Sequence, residues 1–438
     1  MLKNNVQSRN DKLLLYICIA GLLMLFAIET IGQRVLNEYI HTAWILCFSA
    51  VLSYEGILYL LSFLIPTCTL LPHFAHVFVV LFAVLVFKKF FIEKCKTFNL
   101  SWAFIIAFSL WEMLAYVSYN IATLNKVIGY ISVVSVFFWA LYEKKHGDYR
   151  RHLSLYIFGV FALSIFAFIT AAQSFSGNWI SAFFMGGLRL GGTANSDFRE
   201  TDVSLNANTL AYFSIVAVAC YLSMRKNTKD CSISKKTFEF VEFTLILIMG
   251  MLTVSRSWLL VLAGIIALFV FGKLKDEKNL NKTIPIIFGI ILISLVFIKL
   301  GFMEAFIVRF QTESVDTAGG RTDLIKHYFS LFFSNLRYMI LGTGVTDYTL
   351  VMGTVTSMHN GTQQILICLG LPFAALFFTA LFIPIYRAQS TGRKTIQLWL
   401  PFIAVVLFVQ TIQFLNPNTF MLSYIIGLYA LRMPTTQK

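Results

Sequence analysis

Apolar runs of about 17–25 residues recur along the chain, each long enough to cross a bilayer core of roughly 30 Å. In lipid such runs must be helical, because a helix satisfies its own backbone hydrogen bonds. The short alternating segments of an outer-membrane barrel are a different pattern. The runs therefore predict an all-α, polytopic integral membrane protein, one transmembrane domain over residues 1–438 with about 12–14 spans. The first run, Leu13–Ile31, closes without a small-residue cleavage site and reads as a retained helix. Residues 1–90 divide into four short spans or three longer ones. Four is the favoured division, since it puts Lys3, Arg9 and Lys12 on the side of the other basic stretches. No internal repeat or low-complexity tract is evident.

Composition agrees with the pattern. The chain is 58% hydrophobic and 13% charged, which excludes a soluble domain of this size. Its net charge of +14 comes mainly from basic clusters at Lys88–Lys96, Lys144–Arg151, Arg225–Lys236, Lys273–Lys282 and Arg387–Lys394. Their spacing assigns them to one face, the cytoplasmic one, so the charge reflects membrane orientation and not nucleic-acid binding. The opposite face then receives an outer loop at 177–205, a turn at Ser255–Ser257, a large outer loop at 304–360 before the twelfth span or so, and a turn at Asn416–Asn418. The seven cysteines show no metal-site spacing and read as packing residues.

Orientation does not explain the arginines that fall on the outer side or within helices: Arg34, Arg189, Arg199, Arg256, Arg309, Arg321 and Arg337. A planar guanidinium grips phosphate through two parallel hydrogen bonds, so an outward arginine set suits a phosphate-bearing ligand. Pairing with Asp197, Glu200, Asp202, Glu313, Asp316 or Asp323 is the competing explanation for each. The large loop adds His327 and His359. His359-Asn360 stands at the mouth of a helix predicted from Gly361, and Gly370 lies about 16 Å deeper, where it can admit a neighbour. Histidine titrates near neutral pH and can orient or deprotonate a hydroxyl; bonding to a carbonyl is the structural alternative. Arg321 follows two glycines, and Thr322 or Asp323 can cap the helix after it, whose N-terminus also favours an anion. Arg256, between two apolar runs, is costly at a membrane face without a partner, although snorkelling to lipid phosphate would supply one. Asn206 and Asn208 can both cap a helix. Glu112, mid-span, reads as a protonated, hydrogen-bonded core residue or as part of a relay.

Several stretches, in order, resemble the O-antigen ligase and repeat-unit polymerase superfamily of bacterial membrane glycosyltransferases. They are Arg189-Leu-Gly-Gly with Asn206-x-Asn208, Thr253-Val-Ser-Arg-Ser-Trp258, Gly319-Gly-Arg-Thr-Asp323, Leu341-Gly-Thr-Gly344 and His359-Asn360-x9-Gly370. The resemblance is strongest over 185–375, and residues 1–150 add only hydropathy. His-Asn-x9-Gly resembles the ligase signature, with Phe373 where that pattern has Gly, Thr or Tyr. Arg309-x10-Gly320 resembles the polymerase motif, but the second copy is missing: Arg189 reaches Glu200 and Arg199 reaches Leu210 at that offset.

The resemblance implies a GT-C-like helical fold and glycosyl transfer at the outer face of a bacterial plasma membrane. It implies a donor glycan carried on undecaprenyl pyrophosphate, with no nucleotide sugar, cofactor or metal. Among its implied roles, His359, Arg321 and Arg256 are catalytic, and Arg309, Arg337, Arg189, Asn208 and Asn360 bind substrate. Implied partners are the lipid-linked oligosaccharide donor, the glycan acceptor, membrane lipids, a flippase and a chain-length regulator, and no nucleic acid. A polymerase is the leading expectation, and a ligase transferring the glycan to a lipid or other acceptor the nearest alternative. A lipid-linked sugar flippase or transporter is a third, though the sequence shows no clear repeat and no clear broken helix.

Overall fold

The computed structural model describes residues 2–32, 36–37, 39–71, 74–93, 100–143, 147–174, 190, 206–224, 233–274, 299, 301, 304, 307, 321–354, 357–390, 395–415 and 420–433, with the side chains of 2–9, 233–236, 321 and 390 excepted. The described residues are helical, with no strand among them. Eight of the helices are long and apolar enough to cross a membrane, and four shorter apolar helices accompany them. The fold is thus that of a polytopic helical membrane protein.

Among the described residues of 1–90 are four apolar helices: α1 (Leu2–Gly32), α2 (Tyr39–Val51), α3 (Tyr54–Thr67) and α4 (Phe74–Phe87). Asp11 of α1 accepts from Ser53 N–H and Oγ–H, and Ser53 caps α3 through Gly56 N–H. Buried Lys88, just past α4, donates to Ala50 O and Leu52 O at 2.9 and 2.5 Å. A cation there complements the negative C-terminal end of α2. The next helices are α5 (Leu100–Tyr119), α6 (Leu124–Tyr142), α7 (Tyr149–Ser174), α8 (Ala207–Met224), α9 (Ile233–Leu252) and α10 (Arg256–Leu274). Gly159 of α7 lets α3 approach, since a Cβ there would lie 2.6 Å from Phe63 O. Helix α8 is buried along nearly its whole length and forms the centre of the bundle.

The predicted loop at 304–360 is partly helical. Its described residues include α11 (Arg321–Ser334), α12 (Leu336–Leu341) and the single turn α13 (Tyr348–Val351). The chain continues through α14 (Gly361–Ser390), α15 (Ile396–Val409) and α16 (Ser423–Arg432).

Helix α14 corrects one sequence expectation. It is a broken helix, interrupted at Gly370 with φ +68° and ψ 168°. The partner admitted there is the loop Leu341–Gly344. A Cβ on Gly370 would lie 2.6 Å from Ile340 O, and one on Gly342 would lie 2.5 Å from Gly370 N. Two glycines are therefore needed for the backbones to meet. Thr343 and Gly344 donate their N–H groups to Ile367 O and Cys368 O, both at 3.1 Å, and so cap the first segment of α14.

Helix α5 clamps the other side of that loop. Trp111 Nε1–H donates to Leu341 O at 2.8 Å, and Tyr119 O–H to Gly342 O at 2.7 Å. Buried Glu112 accepts from Val345 N–H, Thr346 N–H and Thr346 Oγ–H at 3.1, 3.1 and 2.7 Å. Three donors satisfy a carboxyl group that would otherwise be costly in the bundle. Of the two sequence readings for Glu112, this is the hydrogen-bonded core residue.

Candidate functional site

The site is assembled from helix starts. Asn206 precedes α8, and its Oδ1 accepts from Asn208 N–H at 2.8 Å, so Asn206 is the cap. Asn208 is left to face the next turn, where its Oδ1 accepts from Ser255 Oγ–H at 3.5 Å. That turn is tight: Val254 has φ +48°, a backbone state that strains a β-branched residue. Thr253 Oγ1–H donates to Gly250 O at 2.6 Å and holds it. Leu190 N–H donates to Leu252 O at 2.9 Å, tying the one described residue of the 177–205 stretch to the same turn. Half-buried Arg256 follows as the first residue of α10.

The second group forms at the mouth of α14. Asn360 Oδ1 accepts from Gln363 N–H at 2.9 Å, and its Nδ2 donates to Gln410 O at 3.3 Å. Its side chain is therefore the N-cap of α14 and a strut to the end of α15. Thr362 Oγ1–H donates to Gln410 Oε1 at 3.1 Å. Half-buried His359 stands one residue before the cap. Beneath it, the Tyr348 hydroxyl accepts from Met358 N–H and Gln413 Nε2–H at 2.9 and 3.0 Å. Burial pushes the Tyr348 phenol well above its ordinary pKa, so it stays neutral. Gln363 Nε2–H reaches Ile325 O at 2.8 Å and fixes α11 over this mouth. Arg321 begins α11 four residues earlier, about 6 Å along the axis.

The two groups share one end of the bundle. Gly272, near the end of α10, abuts Ile396 at the start of α15, so the two helices run antiparallel. Arg256 therefore lies level with the end of α15. There a Cβ on Gly361 would meet Val409 Cγ1 at 2.4 Å. The start of α8 is drawn to the same end, with the Tyr212 ring 5.5 Å from Phe408 and 5.1 Å from Phe420. The opposite end gathers the described helix ends next to the basic clusters: Lys89 pairs with Glu143 at 3.0 Å, and Arg432 donates to Glu143 O at 3.3 Å.

The predicted site residues are thus distributed as follows. Arg256, Asn208, His359, Asn360 and the backbone of Arg321 are brought to one end. Arg337 is held apart on α5, its Nη2 donating to Ser118 O at 2.5 Å and its guanidinium 4.5 Å from the Tyr119 ring centre. Arg189, Arg309, Arg34 and Arg199 lie outside the described residues, as does the side chain of Arg321. Sequence reasoning missed Gln363, Gln364, Gln410, Gln413 and Tyr348. A signal was available: Gln363-Gln364 and Gln410-x-x-Gln413 put amides at the edges of apolar runs, and such amides bond between helices. Gln364 Oε1 accepts from Phe414 N–H and Leu415 N–H, both at 2.8 Å.

The fold and this polar end define a polytopic helical membrane protein. No protein-family model matches the chain, and no curated protein matches it.

Proposed function

We propose that this protein is an integral-membrane glycosyltransferase. In this reading it polymerises undecaprenyl-pyrophosphate-linked oligosaccharide units into a surface polysaccharide, at the outward face of a bacterial plasma membrane. One observation carries the reading: Arg256, Asn208 and His359 share an end of the bundle with the first turn of α11, opposite the basic clusters. Convergence at one face suits transfer between two lipid-anchored substrates better than passage across the bilayer.

The reaction follows from the residue chemistry. The acceptor sugar's hydroxyl oxygen attacks the anomeric carbon of the donor glycan. The bond from that carbon to the pyrophosphate oxygen breaks, and undecaprenyl pyrophosphate leaves with the bonding pair. His359 orients the hydroxyl and takes its proton. Arg256 and Arg321 stabilise the charge that builds on the leaving pyrophosphate. Arg189 and Arg309 hold donor and glycan around them, Asn208 contacts donor beside Ser255, and Asn360 positions His359 by capping α14, while Arg337, engaged by Ser118 and Tyr119, takes no part. A ligase would perform the same bond exchange with a different acceptor. The break in α14 favours a second reading, a transporter of lipid-linked sugars, since transporters bind at interrupted helices.

Purified protein in liposomes with a lipid-pyrophosphate oligosaccharide tests all three. A polymerase gives a product ladder, a ligase gives a single transfer to an added acceptor, and a transporter moves the donor without new bonds. His359→Ala should slow product formation about 10²–10⁴-fold while leaving the protein folded. A His359→Ala ladder faster than about a tenth of the normal rate would remove this residue from the chemistry. Arg256→Lys keeps the charge and loses the fork, so it should lower the rate while protein level holds.

A further inference from the structure

Glu242, on α9, is an acid that the proposed reaction does not use. It is 7% exposed, and its Oε1 is buried with no hydrogen-bond partner. Phe238, Phe240 and Val241 beside it are exposed, whereas Ile246 and Met249 are buried with it. The carboxyl group therefore lies on the face of α9 that is turned into the bundle, flanked by side chains open to lipid. Glu239 stands one turn before it on the same face, so the nearest charge along the helix is a like charge.

Helices α7 and α8 pack against α9. Ser214 Oγ–H donates to Ile246 O at 3.0 Å, and the Tyr221 ring stacks on Phe243 at 4.4 Å, so Glu242 lies level with residues 218–221 of the antiparallel α8. Helix α8 contains no Asp, Glu, Lys, Arg or His, and its titratable groups at that level are the Cys220 thiol and the Tyr221 phenol. Ser154 Oγ–H meets Met224 Sδ at 3.8 Å, which puts residues 157–160 of α7 at the same level. Tyr156, just below them, turns its hydroxyl to Ser423 at 3.2 Å. The bases of α7 are Arg150, Arg151 and His152, about 8–15 Å further along the axis. Two of these face α3: His152 Nδ1 bonds Ser62 Oγ at 2.7 Å, and the Arg151 guanidinium is 4.5 Å from the Tyr59 ring centre. On α10, the Lys273 ammonium lies over the Phe269 ring, 5.6 Å from its centre.

A carboxylate without a partner in such surroundings is costly, and the group neutralises by taking up a proton. A metal cation needs several oxygen ligands, and among the described residues no group of three or more His, Cys, Asp or Glu could supply them. An ionisable residue held inside a membrane bundle marks a functional site.

We propose that Glu242 is a proton-binding site inside the bundle, a carboxyl group that carries its proton at neutral pH and is open to modification by an apolar carbodiimide. The assignment does not depend on glycosyl transfer. In the modification, the acid's proton passes to one carbodiimide nitrogen while a carboxyl oxygen bonds to the central carbon. The acyl group then migrates from that oxygen to the nitrogen, leaving a stable N-acylurea with the mass of the whole reagent added.

The test treats purified full-length protein in neutral detergent with dicyclohexylcarbodiimide, or with a water-soluble carbodiimide, and maps the adducts by peptide mass spectrometry. The apolar reagent should label Glu242 and the water-soluble one should not. Labelling should be lost as the buffer is taken from about pH 6 to about pH 10, because the acid form alone supplies the proton. Glu242→Gln, the uncharged isostere of the protonated acid, should melt within about 2 °C of the wild type. The proposal is overturned if dicyclohexylcarbodiimide leaves Glu242 of the wild-type protein unmodified, or if labelling is the same with both reagents or across the pH range. A larger loss of stability in Glu242→Gln would also overturn it, since that is the behaviour of an ionised, paired carboxylate.

Discussion

Replacing Gly370 by alanine strikes the one point where α14 is broken. The residue sits at φ +68° and ψ 168°, a region essentially reserved for glycine. Forcing an L-residue into it costs about 1–3 kcal/mol. The new Cβ would lie 2.6 Å from Ile340 O and 2.7 Å from Gly342 N, both backbone atoms that cannot rotate away. Relief requires the Leu341–Gly344 loop to withdraw, and withdrawal lengthens the bonds from Thr343 and Gly344 to Ile367 O and Cys368 O. A buried N–H left without a partner costs about 1–3 kcal/mol. Together these terms predict a loss of about 3 kcal/mol or more. Gly264 supplies the control: it lies inside α10 with nothing within 4 Å of an added Cβ. Alanine there should be neutral or stabilise by up to about 1 kcal/mol. The assay is equilibrium unfolding in mixed micelles, with both variants measured beside the wild type. A Gly370→Ala protein within about 0.5 kcal/mol of wild type would falsify the claim that this contact needs glycine. Activity per folded molecule should fall as well, because the first segment of α14 carries the Asn360 cap and His359 above it.

Two further outcomes are expected. Glu112→Gln presents an amide N–H to Val345 N–H or Thr346 N–H, donor against donor, and should cost about 1–3 kcal/mol in the same unfolding assay; unchanged stability would show that the loop does not depend on this carboxyl group. A cysteine at exposed Lys126 should react with an impermeant thiol reagent from outside intact cells, and one at exposed Gln389 should not; the reverse labelling pattern would invert the proposed orientation and remove His359 from the outer face.

Much of the frame was legible from apolarity alone, because span length is fixed by bilayer thickness and composition reports it directly. The helix starts after Asn206 and at Gly361 were readable, since asparagine before an apolar run is a cap signal and both Asn206 and Asn360 act as one. Keeping the basic residues on one side led to an expectation of four spans in residues 1–90; four apolar helices are described there, of which two, at Asn10–Gly32 and Phe74–Ile92, are long enough to cross a membrane. The break at Gly370 was not readable. Gly-Leu-Pro inside an apolar run scores as continuous, and the contact that requires the break comes from Gly342, well upstream in the chain. Within 321–351 the helix that begins at Arg321 was readable from its capping residues, but α12 and α13 were hidden for a related reason: polar residues lower the hydropathy there, so the stretch reads as loop. The engagement of Arg337 by α5 was equally invisible, because its partners Ser118 and Tyr119 are more than 200 residues away in sequence. The glutamines around His359 could be seen as polar residues at run edges, but their mutual bonding depends on which helix ends meet.

The clamp between Glu112 and the Thr346 loop also bears on how the protein is made. Glu112 enters the membrane with α5, yet the donors that satisfy it are encoded more than 230 residues later, at Val345 and Thr346. At about 5–20 residues per second, roughly 12–47 s of synthesis separate the arrival of the acid from that of its partners. A charged side chain at the centre of a span opposes insertion by about 2.5–3.5 kcal/mol. Over that interval α5 carries its carboxyl group without these donors, with α6 as its neighbour in the bundle. A chain cut short before the 341–346 loop therefore lacks the partners of Glu112 and should hold α5 less firmly than the full-length protein does.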